Sequence, residues 1–311
     1  MLSTRHIFII NHNAGKRDQT ARIYDMADRL RDRHGLTCEC MLTDRPWAAA
    51  DMARRLAETG EALRLYACGG DGTIHEVANG IAGFPNAAMT TIPTGTGNDF
   101  LKNFGEDAVR FADAENLWDG PAFPLDLIEC CGKYCLTIAC CGIDARVASD
   151  VHTYSGYPVL SGRGSYLASV AANLLFKGIS QRWTVTLDGE TVTGDFALAA
   201  VCNGRYYGGG SMPAPQARMD DGVLDAVLVK KVGRLAFARL FGPYSEGRCG
   251  EFPDIARVVT AREVGIRGED GDLTVCLDGE CFRRREVTMR LSDRRLNFFG
   301  PAGCDCNRTA R

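Results

Sequence analysis

The chain lacks any apolar run of the roughly 18–20 residues that a membrane span requires. Its longest, from Tyr166 to Phe176, is interrupted by Ser169 and Asn173. The opening Met-Leu-Ser-Thr-Arg-His-Ile-Phe-Ile-Ile has no apolar leader core and reads straight into a strand, so the expected location is cytoplasmic. An excess of either charge is missing too. The 36 Lys and Arg stand against 39 Asp and Glu, a net charge of −3, which argues against nucleic acid as a partner. With 45% hydrophobic and 24% charged residues, the composition excludes a disordered, collagen-like or coiled-coil chain. No internal repeat and no low-complexity linker is present.

Cysteine, by contrast, is plentiful, with 14 residues that include Cys130-Cys131, Cys140-Cys141, Cys38-x-Cys40 and Cys304-x-Cys306. Zinc sites usually repeat Cys-x₂₋₄-Cys or add a His pair, and neither arrangement occurs. A disulfide framework does not suit a chain this long without an export signal. The expectation is a set of reduced, buried thiols.

At about 100–200 residues per domain, 311 residues imply two domains. The first third alternates strand and helix signals. Apolar runs at His6–Ile10, Leu36–Leu42, Ala62–Cys68 and Ala88–Ile92 read as strands. Between them Ile23, Ala27 and Leu30, then Ala49, Met52, Ala53 and Leu56, then Ile74, Val77, Ala78 and Ile81 recur at helical spacing. This rhythm is that of a parallel sheet with helices on both faces. From Leu125 onward short alternating segments dominate: Tyr134–Ala139, Trp183–Leu187, Phe196–Cys202, Leu224–Val229, Val264–Arg267, Leu273–Leu277 and Val287–Leu291. Turns at Asp188-Gly189, Asp221-Gly222 and Asp278-Gly279 punctuate them, as in an antiparallel β-sandwich. The expected division is an α/β domain over 1–124, a β-sandwich domain over 125–300 and a tail over 301–311. A helix over Tyr166–Lys177, flanked by Arg163, Lys177 and Arg182, would pack in the core, line an acyl pocket or touch a membrane.

Three loops of the first domain share one design, in which a strand ends, small residues follow and a helix begins. Such a place offers free backbone N–H groups and the positive end of a helix dipole, which suits phosphate. The loops are Asn11–Lys16, Gly69-Gly70-Asp71-Gly72-Thr73 and Thr94–Asp99. All three follow parallel strands, at the sheet edge where such folds bind ligands. Neither G-x₄-G-K-[ST] nor G-x-G-x-x-G fits them, so the phosphate site is of another kind.

Residues Gly69 to Gly80, Gly-Gly-Asp-Gly-Thr-Ile-His-Glu-Val-Ala-Asn-Gly, resemble the GGDGTxNEVxNGL signature of the diacylglycerol kinase catalytic domain family. Pro93-Thr94-Gly95-Thr96-Gly97-Asn98-Asp99-Phe100 resembles its P-x-GTGNDFA signature, and Asn11–Lys16 its N-P-x-A-G-K loop. Asp221-Gly222-Val223-Leu224-Asp225 and Asp278-Gly279-Glu280 match its DG-x-LD and DGE elements. His12 stands where the family has Pro, and His75 where it has Asn.

The resemblance, closest to the bacterial soluble YegS and diacylglycerol kinase type, implies an NAD kinase- and phosphofructokinase-like parallel sheet followed by a β-sandwich, with catalysis in the cleft between. The implied activity is transfer of the γ-phosphoryl of ATP, with Mg²⁺, to a lipid hydroxyl, first of all diacylglycerol. It places Asn11, His12, Asn13, Ala14, Gly15, Thr43, Gly70, Asp71, Gly72, Thr73, Ile74, His75, Glu76 and Thr96 around the nucleotide. Asp278 would be the general base, supported by Glu280 and Asp126, with Asp71 the competing base. Asp221, with backbone oxygens of Arg218 and Val223, would match the family's Mg²⁺ site. The implied lipid partner is met peripherally at the inner membrane face, and the family suggests a homodimer. Alternatives are another lipid alcohol (a sphingoid base or phosphatidylglycerol), phosphorylation of NAD, or a non-catalytic nucleotide- or lipid-binding regulator. Taken singly, Asp278-Gly279 is an ordinary hairpin turn and Asp221 and Asp225 are turn and strand-end carboxylates.

Overall fold

A strand buried on both faces of a parallel sheet needs a continuous apolar run. In β1 (Arg5–Ile10) every residue from His6 to Ile10 is buried. The computed structural model describes residues 4–155 and 178–306, and the chain divides into two units, Met1–Asp126 with Asp293–Arg311, and Leu127–Ser292. The expected helix over 166–177 lies outside the described residues.

In the first unit β1 is followed by α1 (Thr20–His34), β2 (Thr37–Leu42), α2 (Ala48–Ala57), β3 (Leu63–Gly69), α3 (Asp71–Ile81), β4 (Ala87–Pro93) and β5 (Ala122–Leu125). The helices bury the faces their spacing marked: Ile23, Ala27 and Leu30 in α1, and Ile74, Val77, Ala78 and Ile81 in α3. The first four strands run parallel in the order β2-β1-β3-β4. β3 thus lies between β1 and β4, and the three glycine-rich loops emerge side by side at one carboxyl edge.

The sheet continues through a strand from the other end of the sequence, Leu296–Phe299, which pairs parallel to β4 and antiparallel to β5. Phe298 packs with Phe100, Phe104 and Phe111 of the 3₁₀ segment Phe100–Ala112, with ring centroids 5.2, 5.5 and 6.0 Å apart. Residues 293–306 therefore belong with the first unit, whereas the expected division gave most of them to the second.

The second unit contains β6 (Ile128–Cys130), β7 (Lys133–Cys135), β8 (Ile138–Gly142), α4 (Ile143–Ser155), β9 (Gln181–Leu187), β10 (Glu190–Cys202), β11 (Leu224–Lys230), α5 (Arg234–Ser245), β12 (Ala256–Ala261), β13 (Glu263–Gly268), β14 (Leu273–Leu277), β15 (Glu280–Arg284) and β16 (Glu286–Leu291). Its strands pair antiparallel in the order β15-β14-β8-β10-β9-β13-β16-β6-β7, with β11 joining β10 to β12. Period-two alternation divides the side chains of β10 between two faces. Ala199 and Val201 meet Trp183, Val185, Val264, Ile266, Val287 and Met289 in the interior of the folded sheet. Leu198, Ala200 and Cys202 face the other way, among Ile143 of α4 and Phe237, Leu240 and Tyr244 of α5. Trp183, 1% exposed, anchors the first cluster, and truncating a side chain of this kind to Ala costs about 3–5 kcal/mol. The fold is thus a parallel α/β domain and an antiparallel β domain, the class the sequence predicts.

Candidate active site

The three loops of the first unit are locked to one another through main chain. Gly15 has φ +82°, and a Cβ there would lie 2.1 Å from the Thr94 carbonyl oxygen. The amides of Thr94 and Gly95 donate to the Gly69 carbonyl at 2.9 and 3.1 Å. The Asn11 amide group donates to Thr73 Oγ1 at 3.2 Å, and Asn11 Oδ1 accepts the Asn13 N–H at 3.1 Å. Packing this close admits no side chain between the loops, which leaves peptide groups at the surface of the cradle.

The carboxylate of Asp71 clamps the same loops. Its Oδ2 accepts the Asp99 N–H and its Oδ1 the Phe100 N–H, each at 3.0 Å, so it caps the Phe100–Ala112 segment from the first turn of α3. A negative charge between two donors at a helical N-terminus is favourable.

Other residues expected around a nucleotide fall into two sets. His12, Asn13, Gly15, Gly72 and Thr96 are exposed at the loop tips, with Asn11, Ala14 and Gly70 half-buried behind them. Thr43, Thr73, Ile74 and His75 are buried. His75 meets Trp47 edge to face at 5.7 Å, and Glu76 Oε2 accepts the Ala49 N–H at 3.1 Å, capping α2. Thr43 continues β2, its N–H donating to the Ile10 carbonyl at 2.9 Å. These four and Glu76 support the loops from beneath. Asp126, 2% exposed, pairs with Arg295 at 2.8 Å within the first unit.

In the second unit Asp278 and Gly279, with φ +47° and +101°, form the tight turn between β14 and β15. The Asp278 carboxylate accepts Leu136 N–H at 2.6 Å, Thr137 N–H at 2.9 Å, Thr137 Oγ1–H at 2.6 Å and the Cys135 thiol at 3.2 Å. Those amides are therefore not available to the sheet, and the single strand expected over Tyr134–Ala139 is instead β7 and β8 with a gap at Leu136 and Thr137. Asn203, fully buried, fixes the gap from behind: its N–H donates to the Thr137 carbonyl at 2.8 Å and its Nδ2 to the Leu136 carbonyl at 2.7 Å. Thr137 and Asn203 were not among the expected site residues, and no local pattern marks them. Glu280, opposite Leu277, is exposed.

Asp221 is exposed, and its Oδ1 accepts the Val223 N–H at 3.3 Å. Burial raises the pKa of nearby Asp225, the Gln216 amide at 2.8 Å offsets that, and the Asp221 charge adds to it. Arg218 forms an ion pair with Asp220 at 3.5 Å. Carboxylates and carbonyls are hard oxygen donors of the kind Mg²⁺ takes, one or two carboxylates being completed by water. Among the described residues no three His, Cys, Asp or Glu side chains converge as a metal cluster, so an ion at Asp221 would depend on backbone oxygens.

Residues 5–130 match the family model of the diacylglycerol kinase catalytic domain, and residues 137–299 that of the YegS C-terminal NAD kinase beta sandwich-like domain. A protein of Shewanella frigidimarina named "Probable lipid kinase YegS-like" is 32% identical over 269 residues, 84% of each chain. The chain belongs to the YegS-like lipid kinase family. The diacylglycerol kinase of Bacillus subtilis is 30% identical over 226 residues, 71% of this chain and 70% of its own. The fold is shared with a crystal structure of a diacylglycerol kinase from Bacillus anthracis, at a TM-score of 0.70 and 21% identity over 95% of this chain and 96% of that one. The first model covers the three loops with Asp71 and Asp126, and the second covers Asp221, Asp225, Asp278 and Glu280. Among the described residues of this chain no helix is long and apolar enough to cross a membrane.

Proposed function

We propose that the chain transfers the γ-phosphoryl group of ATP to a lipid hydroxyl, with diacylglycerol, giving phosphatidic acid, the first acceptor to test. The observation that carries the reading is the interlocked set of three loops, Asn11–Lys16, Gly69–Thr73 and Thr94–Asp99, whose close backbone packing suits a phosphate chain and little else. Exposed main-chain groups of Gly15, Gly72 and Thr96 would take the phosphates, with His12 and Asn13 at the rim.

Asp278 is assigned as the base that receives the proton of the lipid hydroxyl as the new O–P bond forms and the bond to ADP breaks. Its hydrogen bonds to the Leu136 and Thr137 amides and the Thr137 hydroxyl hold the carboxylate in one orientation. Such fixed placement matters because the transition state of phosphoryl transfer is loose and catalysis rests on positioning and electrostatics. Glu280 and Asp126 are assigned supporting carboxylate roles. Asp71 is held just as firmly, and its bonds to the Asp99 and Phe100 amides suit a positioning role. Mg²⁺, held by Asp221 and the carbonyls of Arg218 and Val223, would supply positive charge and fix the local turn. A membrane surface as the meeting place with the lipid, a cytoplasmic location and a homodimer complete the reading, on family resemblance.

The test is phosphate transfer from labelled ATP with Mg²⁺ to diacylglycerol, monoacylglycerol, phosphatidylglycerol, ceramide and sphingosine in mixed micelles, with NAD as the soluble control. Label in diacylglycerol, lost in Asp278→Asn while ATP binding persists, is the expected result. Label in NAD alone, or loss of transfer in Asp71→Asn but not in Asp278→Asn, would overturn the assignment.

A further inference from the structure

The hairpin that carries Asp278 is flanked by thiols. Leu277 pairs with Glu280 across the two-residue turn, and Cys276 pairs with Cys281 one step further out. In such a hairpin the residues next to the turn exchange both main-chain hydrogen bonds, and the next pair exchanges none. Cys276 and Cys281 therefore stand at the closer antiparallel spacing, about 4.5 Å between Cα atoms, with side chains on the same face. A disulfide spans Cα separations of about 4.4–6.8 Å. The main-chain groups of Cys276 point the other way, to β8, where its partner is Cys140. That pair takes the wider, hydrogen-bonded spacing of about 5.5 Å.

In register Cys276 stands between Cys140 and Cys281, so three cysteines form a row across β8, β14 and β15, and the Cys281 thiol donates to the Ala145 and Gly279 carbonyls, each at 3.6 Å. Cys140 and Cys276 are 2% and 4% exposed, whereas Cys281 is half-buried and lines an open cavity of about 560 Å³. The row thus has one accessible end.

We propose that Cys276 and Cys281 form a redox modification site, in which a hydroperoxide oxidises Cys281 and Cys276 closes a reversible disulfide across the hairpin. The Cys281 thiolate attacks one peroxide oxygen. The O–O bond breaks, leaving a sulfenic acid and, from hydrogen peroxide, hydroxide. Cys276 then attacks the sulfenic sulfur, the S–S bond forms, and the hydroxyl leaves as water with the Cys276 proton. Two thiols lose two electrons, and the peroxide is reduced to water. The Cys276 sulfur beside it, and then burial, push the Cys281 thiol well above the ordinary range, so thiolate is scarce at neutral pH and the reaction accelerates as pH rises. The cross-link leaves the strand hydrogen bonds intact and encircles Leu277, Asp278, Gly279 and Glu280. Its consequence for catalysis rests on the role assigned to Asp278, whereas the disulfide itself does not.

Trypsin releases residues 268–283 as one peptide whose two cysteines are Cys276 and Cys281. The full chain is treated with hydrogen peroxide, alkylated with iodoacetamide, digested and weighed. The expected product is this peptide lighter by two hydrogen atoms, refusing alkylation until dithiothreitol is added, in wild type and in Cys140→Ser but not in Cys281→Ser. Two alkylations on the peptide from oxidised wild type would overturn the proposal. So would a cross-link through Cys140 to the peptide spanning Tyr134 to Arg146, or oxidation confined to Cys130 and Cys131. Lipid phosphorylation by the same samples separates the two readings: a reduced chain that transfers no phosphate refutes the kinase assignment and leaves the disulfide map unaffected.

Discussion

Gly95 and Gly70 touch main chain to main chain: a Cβ on Gly95 would lie 2.5 Å from the Gly70 Cα and 3.1 Å from its nitrogen. The two nearest atoms are main chain, with Asn98 Oδ1 next at 3.2 Å, so the β3 and β4 loops must part to admit even a methyl group. Gly95→Ala is expected to cost about 1–3 kcal/mol, as other overpacking substitutions do. In a domain of this size that lowers the melting temperature by roughly 2–4 °C per kcal/mol. Calorimetry reads the shift, and titration with ATP should show weakened binding. Gly72→Ala is the control for the melting temperature alone, since a Cβ there meets nothing within 4 Å.

Asp71 and Asp278 are both bound by backbone amides, yet they should fail in different ways. In Asp71→Asn the amide presents one oxygen to the Asp99 and Phe100 N–H groups, and its NH₂ faces the other donor. Leaving such a donor unpaired costs about 1–3 kcal/mol. The expected result is weaker ATP binding, seen as a raised KM, with the chemical step less affected. Asp278→Asn should leave the KM for ATP unchanged and lower kcat by about 10²–10⁴, the range of a lost general base. Steady-state kinetics against ATP concentration distinguishes the two.

What the sequence made legible follows from which contacts are local. The loops at Asn11, Gly69 and Thr94 are strand-to-helix junctions, and their residue types specify them without reference to anything distant. The tight turns at Asp188 and Asp278, both at positive φ and followed by Gly, are equally local. The return of Leu296–Phe299 beside β4 is not, because its partners in the sheet lie some two hundred positions earlier. The break between β7 and β8 is the most instructive departure. Tyr134 to Ala139 alternates like one strand, and only the Asp278 carboxylate, 141 positions from Thr137, takes the amides that would have continued it. A strand read from its own residues cannot register a competitor on another hairpin, and here that competitor is the residue assigned as base.

Asp221 offers a test of metal dependence that needs no substrate. If it holds Mg²⁺ with the carbonyls of Arg218 and Val223, millimolar Mg²⁺ should raise the melting temperature of the wild-type chain, by mass action on the folded state. Chelation should reverse the rise, and Asp221→Ala should show neither effect. An equal response in the variant would place the stabilising ion elsewhere.

His6 predicts how the first unit responds to acid. It lies buried in β1, its Nδ1 2.9 Å from the Tyr66 hydroxyl, and burial, then the Arg64 charge, lower its pKa to about 4. Unfolded, it would titrate near 6.5. Between those values the unfolded chain binds a proton that the folded chain refuses, so stability falls as pH drops from about 6.5 to 4. Its full extent is about 3 kcal/mol at the conversion of 1.36 kcal/mol per pKa unit. Asp144 and Asp225 in the second unit act in the opposite sense: burial raises both, the folded state holds their protons longer, and their contribution declines as pH rises through the acid range. Comparing His6→Gln with wild type cancels those carboxylates. The variant retains a polar group facing Tyr66 but cannot titrate, so its loss of stability from pH 6.5 to 4 should be shallower than wild type by about that amount, read from urea melts at each pH. Parallel curves for the two proteins would show that His6 is not the group that carries the dependence.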